Sequence, residues 1–408
     1  MKKHVFVIPA VILLVFSAQT ILAAGLSDTG QTKCYNDSAE IDCQLPETDT
    51  YYGQDARYNY VPRYFTKLNA DGSVWTEGDH VMVRDNVTGL IWAVETGFFS
   101  WDYAEAYCDG LEIGEYKDWR MPTVKELRSI ADYESSPLIN AEYFPNAQAA
   151  PHWSSDKLFG DSTDAYRWYF DFAYGTSGTT NKSPDLYIYY YVRAVHCSEA
   201  DYLFPPEYSS PIKDNGDGTA TDIRTGLMWQ QFWPTEQTEM HWGEALAYCN
   251  DLPLAGFDDW RLPNIRELGS IVSLNTANPS LLPNIKAASY WSSTTVWTFA
   301  KKPEVAVGIY FATGSDTSSD KDHDWEKRYV IAVRGGDYGT FAAKADLNKD
   351  SRVNLADAIL SLQICGGLSP AIDMTFGMAN IDIDADLKIG MPEVIYILQE
   401  VAGMYRCL

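Results

Sequence analysis

Apolar positions along this chain come in blocks, and most of the blocks come twice. The first block does not: Val5 to Phe16 is almost wholly apolar, preceded by Lys2 and Lys3 and followed by Leu22-Ala23-Ala24. It is shorter than the roughly 20 apolar residues a spanning helix needs, so 1–24 reads as a cleaved export signal, with an uncleaved anchor as the alternative. No cysteine directly follows the small residues, which argues against a lipid anchor, and no other stretch is long and apolar enough to span a bilayer. Further along, Trp242-Gly-Glu-Ala-Leu-Ala-Tyr-Cys249 places apolar groups at helical spacing, with Thr238 as a candidate cap. Pro263 suits the start of a second helix, from Asn264 to Val272. Tyr290-Trp-Ser-Ser293, Val305 to Phe311 and Arg328 to Val333 read as strands.

The same blocks stand earlier in the chain. Asp85-Asn-Val-Thr-Gly-Leu-Ile-Trp92 returns as Asp222-Ile-Arg-Thr-Gly-Leu-Met-Trp229. Asp118-Trp-Arg-Met-Pro122 returns as Asp259-Trp-Arg-Leu-Pro263, and Trp153-Ser-Ser155 as Trp291-Ser-Ser293. Trp101 and Tyr107-Cys108 match Trp242 and Tyr248-Cys249; Tyr191-Val-Arg-Ala-Val195 matches Tyr329-Val-Ile-Ala-Val333. The offset is nearly the same for every block, with small insertions between them. It spans about a third of the chain, and a period this long indicates duplicated whole domains, not a solenoid. Each copy is expected to be two helices followed by a strand-rich half. The predicted organisation is a polar segment 25–65, copy 1 over 66–200, copy 2 over 201–340, and a C-terminal module over 341–408.

Charge narrows the partners. The chain has 56 acidic and 31 basic residues, and loss of the leader leaves 29 basic ones, a balance of −27. That field repels phosphate backbones, so nucleic acid is not an expected partner, and polyanionic glycans are disfavoured. Abundant Trp and Tyr exclude a disordered acidic tail. All seven cysteines follow the leader, and an exported chain meets an oxidising compartment. Three pairings are expected: Cys34 with Cys43, Cys108 with Cys197, and Cys365 with Cys407. Cys249 is left over, either a buried thiol or an intermolecular link.

The order Thr-Gly-Leu-x-Trp, Ala-x-x-Tyr-Cys, Asp-Trp-Arg-Leu-Pro, Glu-Leu, Trp-Ser-Ser and Val-x-Ala-Val-Arg resembles the C-terminal domain of the Legionella collagen-like adhesin, twice over, across about residues 66 to 338. The resemblance implies a C-type-lectin-like fold, related to that of formylglycine-generating enzymes, and a role in adhesion or glycan binding. It also implies sulfated glycosaminoglycans as ligand, against which the acidity of this chain argues.

Arg120 and Arg261 invite an anion-gripping reading. A structural ion pair with Glu126 and Glu267, organising the helix start, is the expectation. Ser154, Ser155, Ser292 and Ser293 lack a nucleophile elbow, and His152 gives way to Tyr290 in the second copy. The histidines show no metal-ligand spacing. An enzyme is therefore not expected, although a formylglycine-generating or carbohydrate-active accessory activity is the competing class, and a purely structural surface component a third. Sugars stack on exposed rings, for which Tyr166, Trp168, Tyr187 to Tyr191, Trp297 and Trp325 are candidates, unless those rings fill the core. Asp214-Asn-Gly-Asp-Gly218 is expected to be a hairpin turn, with a calcium loop as the alternative.

The C-terminal module carries the most legible chemistry. An EF-hand loop supplies oxygens at positions 1, 3, 5, 7, 9 and 12. In 346–357 these are Asp346, Asn348, Asp350, the Arg352 carbonyl, Asn354 and Asp357; in 382–393 they are Asp382, Asp384, Asp386, the Lys388 carbonyl, Gly390 and Glu393. A helix is expected after each loop, from Ala358 to Cys365 and from Val394 to Val401. Two loops each trailed by one helix are similar to the dockerin module of cellulosomal proteins, and that resemblance implies a cohesin-like partner. Position 6, where the turn favours Gly, holds Ser351 and Leu387, so the second calcium site is expected to be the weaker. The expected class is thus α+β: two tandem C-type-lectin-like domains and a small all-α dockerin-like calcium module, in a secreted or surface protein that binds a glycan or a surface protein.

Overall fold

The computed structural model describes residues 26–58, 63–196, 212–335 apart from 223–224, 232–236, 278, 297–302 and 323–324, and the helix 355–365. The leader lies outside these residues. Five helices are described: α1 (Trp101–Asp109), α2 (Val124–Ser129), α3 (Trp242–Asn250), α4 (Ile265–Ser270) and α5 (Leu355–Cys365). The spacing of apolar residues located α3 and α4, but His241, not Thr238, is the residue from which α3 starts.

Most of the regular structure is strand. Copy 1 builds one sheet in the order Phe65–Leu68, Met82–Asp85, Ile91–Ala93, Val195–His196, Trp119–Arg120, and a second in the order Thr176–Asn181, Tyr166–Asp171, Pro151–Lys157, Tyr190–Val192, Gly97–Phe99. Copy 2 repeats them as Ile212–Asp214, Thr219–Asp222, Met228–Gln230, Val333–Arg334 and as Ser289–Thr295, Val305–Tyr310, Ser315–Asp320. These four sheets are set as a four-bladed, propeller-like ring. The expected α+β, C-type-lectin-like class is overturned, because the protein is mostly β with few helices. The helical spacing lasts about two and a half turns in α1 and α3 and under two in α2 and α4. Polar stretches without apolar alternation, Thr176–Asn181 and Ser315–Asp320, pair as strands at the sheet margins. The expected all-α module is corrected too: among the described residues beyond 335 there is one helix, α5, and both expected calcium loops lie outside them apart from the stretch 355–357 that opens α5.

Asp214 to Thr219 is the hairpin expected of its Asn-Gly and Asp-Gly pairs. Asn215 N–H donates to the Thr219 carbonyl at 3.0 Å, and Gly216 and Gly218 take φ of 77° and 90°, a region costly for a side chain.

Three apolar clusters hold the ring together. One belongs to copy 1 and gathers Trp101, Cys108, Trp119 and Trp153; one belongs to copy 2 and gathers the matching Trp242, Cys249, Trp260 and Trp291. The largest is common property, with Trp92, Leu127 and Phe170 from copy 1 and Trp229, Leu268 and Ile309 from copy 2. Matching elements also meet each other across the junction: α2 packs on α4, and strand Thr176–Asn181 lies beside Ser315–Asp320. Asp316 N–H donates to Ser177 Oγ at 2.9 Å, and these two residues hold the same place in their copies. Like-to-like contact is the mark of an isologous, two-fold interface, here formed within one chain.

The segment 26–58 breaks that symmetry. Cys34 and Cys43 form the expected disulfide, which closes its central loop. The segment lies mainly on copy 2: Gln31 exchanges hydrogen bonds with Thr295, Asp55 accepts from Thr294 Oγ1 at 2.6 Å, and Lys321 Nζ donates to the carbonyls of Tyr35 and Asn36, while Thr32 and Tyr35 donate to Glu134 of copy 1. Thr50 and Tyr51 rest on Gly243 and Trp242, where copy 1 carries Asp102 in place of the glycine. On copy 1 the matching tryptophan, Trp101, is roofed by its own Arg167 and Lys182, with ring-to-cation distances of 4.3 and 4.9 Å.

Candidate functional site

Helices α2 and α4 start alike because their caps are alike. Thr123 and Asn264 accept the backbone N–H of Glu126 and Glu267, whose carboxylates reach back to the cap N–H, a reciprocal capping box. The same carboxylates take both ends of a guanidinium: Arg120 Nη2 to Glu126 at 2.6 Å, and Arg261 Nη1 and Nη2 to Glu267 at 2.6 Å each. Arg261 also donates to the Gly335 carbonyl. These arginines therefore build the framework, as the sequence predicts, and are not poised to grip an anion.

The Trp-Ser-Ser blocks are framework as well. Trp101 Nε1 donates to the Ser154 carbonyl and Trp242 Nε1 to that of Ser292, while Ser292 Oγ donates to Val307 O and Ser155 Oγ to Pro122 O. His152 is buried against Phe172 and Tyr191, and burial pushes its pKa down to about 3. It meets the Ala150 carbonyl, not a serine.

Cys108 is a buried thiol, so the bridge expected with Cys197 is not made; Cys197 itself lies outside the described residues. The reason is packing: Cys108 faces the apolar cluster of copy 1, as Cys249, also a buried thiol, faces that of copy 2. Burial pushes the Cys108 thiol up to about 12. Cys365 is exposed on α5, and its expected partner Cys407 lies outside the described residues. So do the calcium ligands Asp346, Asn348, Asp350, Arg352, Asn354, Asp382, Asp384, Asp386, Lys388 and Glu393; Asp357 falls within α5.

Among the aromatic candidates the structure makes a clear division. Trp168 is buried in the core, and Trp297 lies outside the described residues. Tyr187 is 79% exposed and Trp325 76% exposed. The stretch of chain from Tyr187 to Trp325 equals that from Trp153 to Trp291, so these two exposed rings hold corresponding positions in the repeat. Copy 1 also carries a column of rings close by in the chain. Buried His152 stacks on Tyr191 at 5.6 Å, Tyr191 meets Phe98 at 4.8 Å, and Phe98 stacks on Tyr189 at 6.0 Å, so a column of rings climbs from the core to the surface. Tyr187 stands just before Tyr189 in the chain, held in the left-handed region at φ 52°. The strand Gly97–Phe99, which carries Phe98, is the margin of its sheet, pairing only with Tyr190–Val192. Sequence reading missed Phe98, since its Gly-Phe-Phe stretch lies in no repeated block; its pairing with Tyr191 is visible only in three dimensions.

No curated protein matches the chain. The family description for the Lcl C-terminal domain matches it twice, over residues 81–196 and 218–334. Both matches span the capping boxes, the Arg–Glu pairs and the Trp-Ser-Ser strands described above. The two matches cover more than half of the chain, and the protein belongs to the Lcl C-terminal domain family, with two copies in tandem.

Proposed function

We propose that this is an exported, non-catalytic, adhesin-like protein that holds a glycan or a surface protein against the exposed aromatic rings of its two copies. The observation that supports this most is the pair Tyr187 and Trp325, at corresponding positions of the repeat and about three-quarters exposed, with the half-exposed Phe98–Tyr189 stack also in copy 1. An exposed ring is of no use to the core; its flat apolar face and polar edge suit a sugar ring or a protein side chain. Family membership supports the adhesin-like role and a surface or secreted location. Among the described residues no helix is long and apolar enough to cross a membrane. Calcium at Asp346–Asp357 and more weakly at Asp382–Glu393, and a cohesin-like partner for 341–408, belong to the same proposal and rest on the order of oxygen ligands in the sequence.

The test is a glycan and matrix-protein array probed with the full chain, with calcium and with chelator, followed by Tyr187→Ala and Trp325→Ala. Each substitution is expected to weaken the best hit up to about tenfold, as loss of one ring contact does, and the pair together to abolish it. Binding unchanged in the double variant overturns the ring-based reading.

A further inference from the structure

A second site lies where the copies meet. A cavity of about 400 Å³ opens at the junction between α2 and α4, closed on one side by Leu26 and Ser27 of the N-terminal segment. That volume is in the range of small-molecule pockets. Its walls are paired across the internal two-fold: Lys125 matches Arg266, Ser129 matches Ser270, Thr88 matches Thr225 and Arg128 matches Gly269. The last pair makes the room. Two arginines there would meet head-on, and glycine on one side leaves Arg128 free to turn to Asp316.

The lining mixes charge with apolar surface: three cations, Lys125, Arg128 and Arg266, and one carboxylate, Asp156, share it with Val272, Leu274 and Leu281. Arg128 is matched by Asp316 outside the lining, whereas the hydrogen bonds of Arg266 go to uncharged groups, the Ser27 and Ala131 carbonyls and Ser27 Oγ, with the Asp28 and Asp85 carboxylates near it but not bonded to it. Arg128 and Arg266 are both about 4% exposed, and the Nε–H of each has no acceptor. Two buried guanidinium N–H groups without an acceptor, both on residues that line one cavity, together with Lys125, offer hydrogen bonds suited to an anion. Asp156, the one carboxylate of the lining, lies near Arg128 but makes no hydrogen bond to it; its Oδ2 accepts from Val124 N–H at 2.7 Å.

We infer that this cavity is a binding site for a small organic carboxylate with an apolar body. The carboxylate accepts from the arginine side with Lys125 at the rim, and the apolar body lies on Val272, Leu274 and Leu281. The site exists only because the domain is duplicated, since each copy supplies half of it. It is separate from the aromatic rings and stands or falls apart from them.

The experiment is calorimetric titration of the full chain with 4-methylpentanoate, and with 4-methylpentanamide as the uncharged probe of equal size. The acid is expected to bind and the amide to bind at least about tenfold more weakly, the loss of one charge-assisted hydrogen bond. Two variants on the wall, Lys125→Gln for the charge and Leu281→Trp to fill the space, should each weaken the acid about tenfold while the circular dichroism spectrum is kept. If a variant loses the fold spectrum, the milder Leu281→Phe and Lys125→Arg replace it, with weakening and near-normal binding expected respectively. Equal binding of acid and amide, no binding of either, or undiminished binding in the folded filled-cavity variant overturns the assignment.

Discussion

Arg128 of the first copy lies directly over Gly269 of the second: a methyl group at 269 would fall 2.1 Å from Arg128 Nη1. The two residues hold the same position in their copies, so an identical pair would place one arginine on another. Arg128 is tied to Asp316 at 2.8 Å, with both side chains almost fully buried. Removing one partner of a buried pair strands the other charge. Arg128→Ala is therefore expected to cost about 3–5 kcal/mol, and Gly269→Ala to cost a good part of that by pushing Arg128 off its partner. Adding Asp316→Ser, the residue copy 1 has at Ser177, should recover most of the loss. Urea unfolding of the singles and the double checks this; no recovery in the double would show that the charge pair is not what Arg128 contributes.

The two Arg–Glu pairs should not be equally costly to break. Arg261 is 4% exposed at its side chain and Arg120 28%, while both glutamates are buried. Water can reach Glu126 when Arg120 is cut back, and reaches Glu267 less well. Arg261→Ala is expected to lose about 3–5 kcal/mol and Arg120→Ala about 1–2 kcal/mol. Because the largest apolar cluster is shared between copies, one cooperative transition is expected in both variants. Two separate melting steps would contradict the shared core.

Burial pushes Lys321 down to about 7, its ammonium being held by backbone carbonyls and the face of the Trp242 ring. The unfolded chain keeps this proton up to an ordinary lysine pKa, so between about pH 7 and 10 the unfolded state binds more protons and stability rises with pH. Lys321→Met has no proton to lose. The variant is expected to be the more stable at pH 7, by an amount on the order of a few kcal/mol, and the difference should shrink toward pH 10. Thermal melts across that range, wild type minus variant, read the effect; a constant difference would rule it out.

Calcium added to the full chain is expected to raise both helicity and melting temperature, with Asp346→Ala and Asp350→Ala removing more of the response than Asp384→Ala. Calorimetry and circular dichroism with a chelator control provide the check. Absence of heat and of any spectral change would remove calcium from the function.

What the sequence disclosed depended on how local the physics was. The duplication, the Asn-Gly turn, the capping helices and the Arg120–Glu126 and Arg261–Glu267 pairs were all legible, because each is settled within a few residues. The balance of strand over helix was not. Thr176–Asn181 and Ser315–Asp320 are runs of Ser, Thr, Gly and Asp with no alternation, and they become strands only through Tyr166–Asp171 and Val305–Tyr310 beside them. The junction was hidden for a related reason. Leu127 and Leu268 look like any inner helix position, and nothing in Gly269 announces an arginine arriving from the other copy. Of the site, Tyr187 and Trp325 could be named from sequence, but only burial separated them from Trp168.

The N-terminal segment has a consequence for the order of events. Gln31 meets Thr295 across 264 residues of chain, and Asp55 meets Thr294 across 239. Its seat is made of residues synthesised long after the segment itself. Such distant contacts form late, once the intervening chain has closed its own loops. On that argument Trp242 and Lys321 are expected to stay uncovered until the rest of the ring has assembled, with segment 26–58 among the last of the described residues to settle.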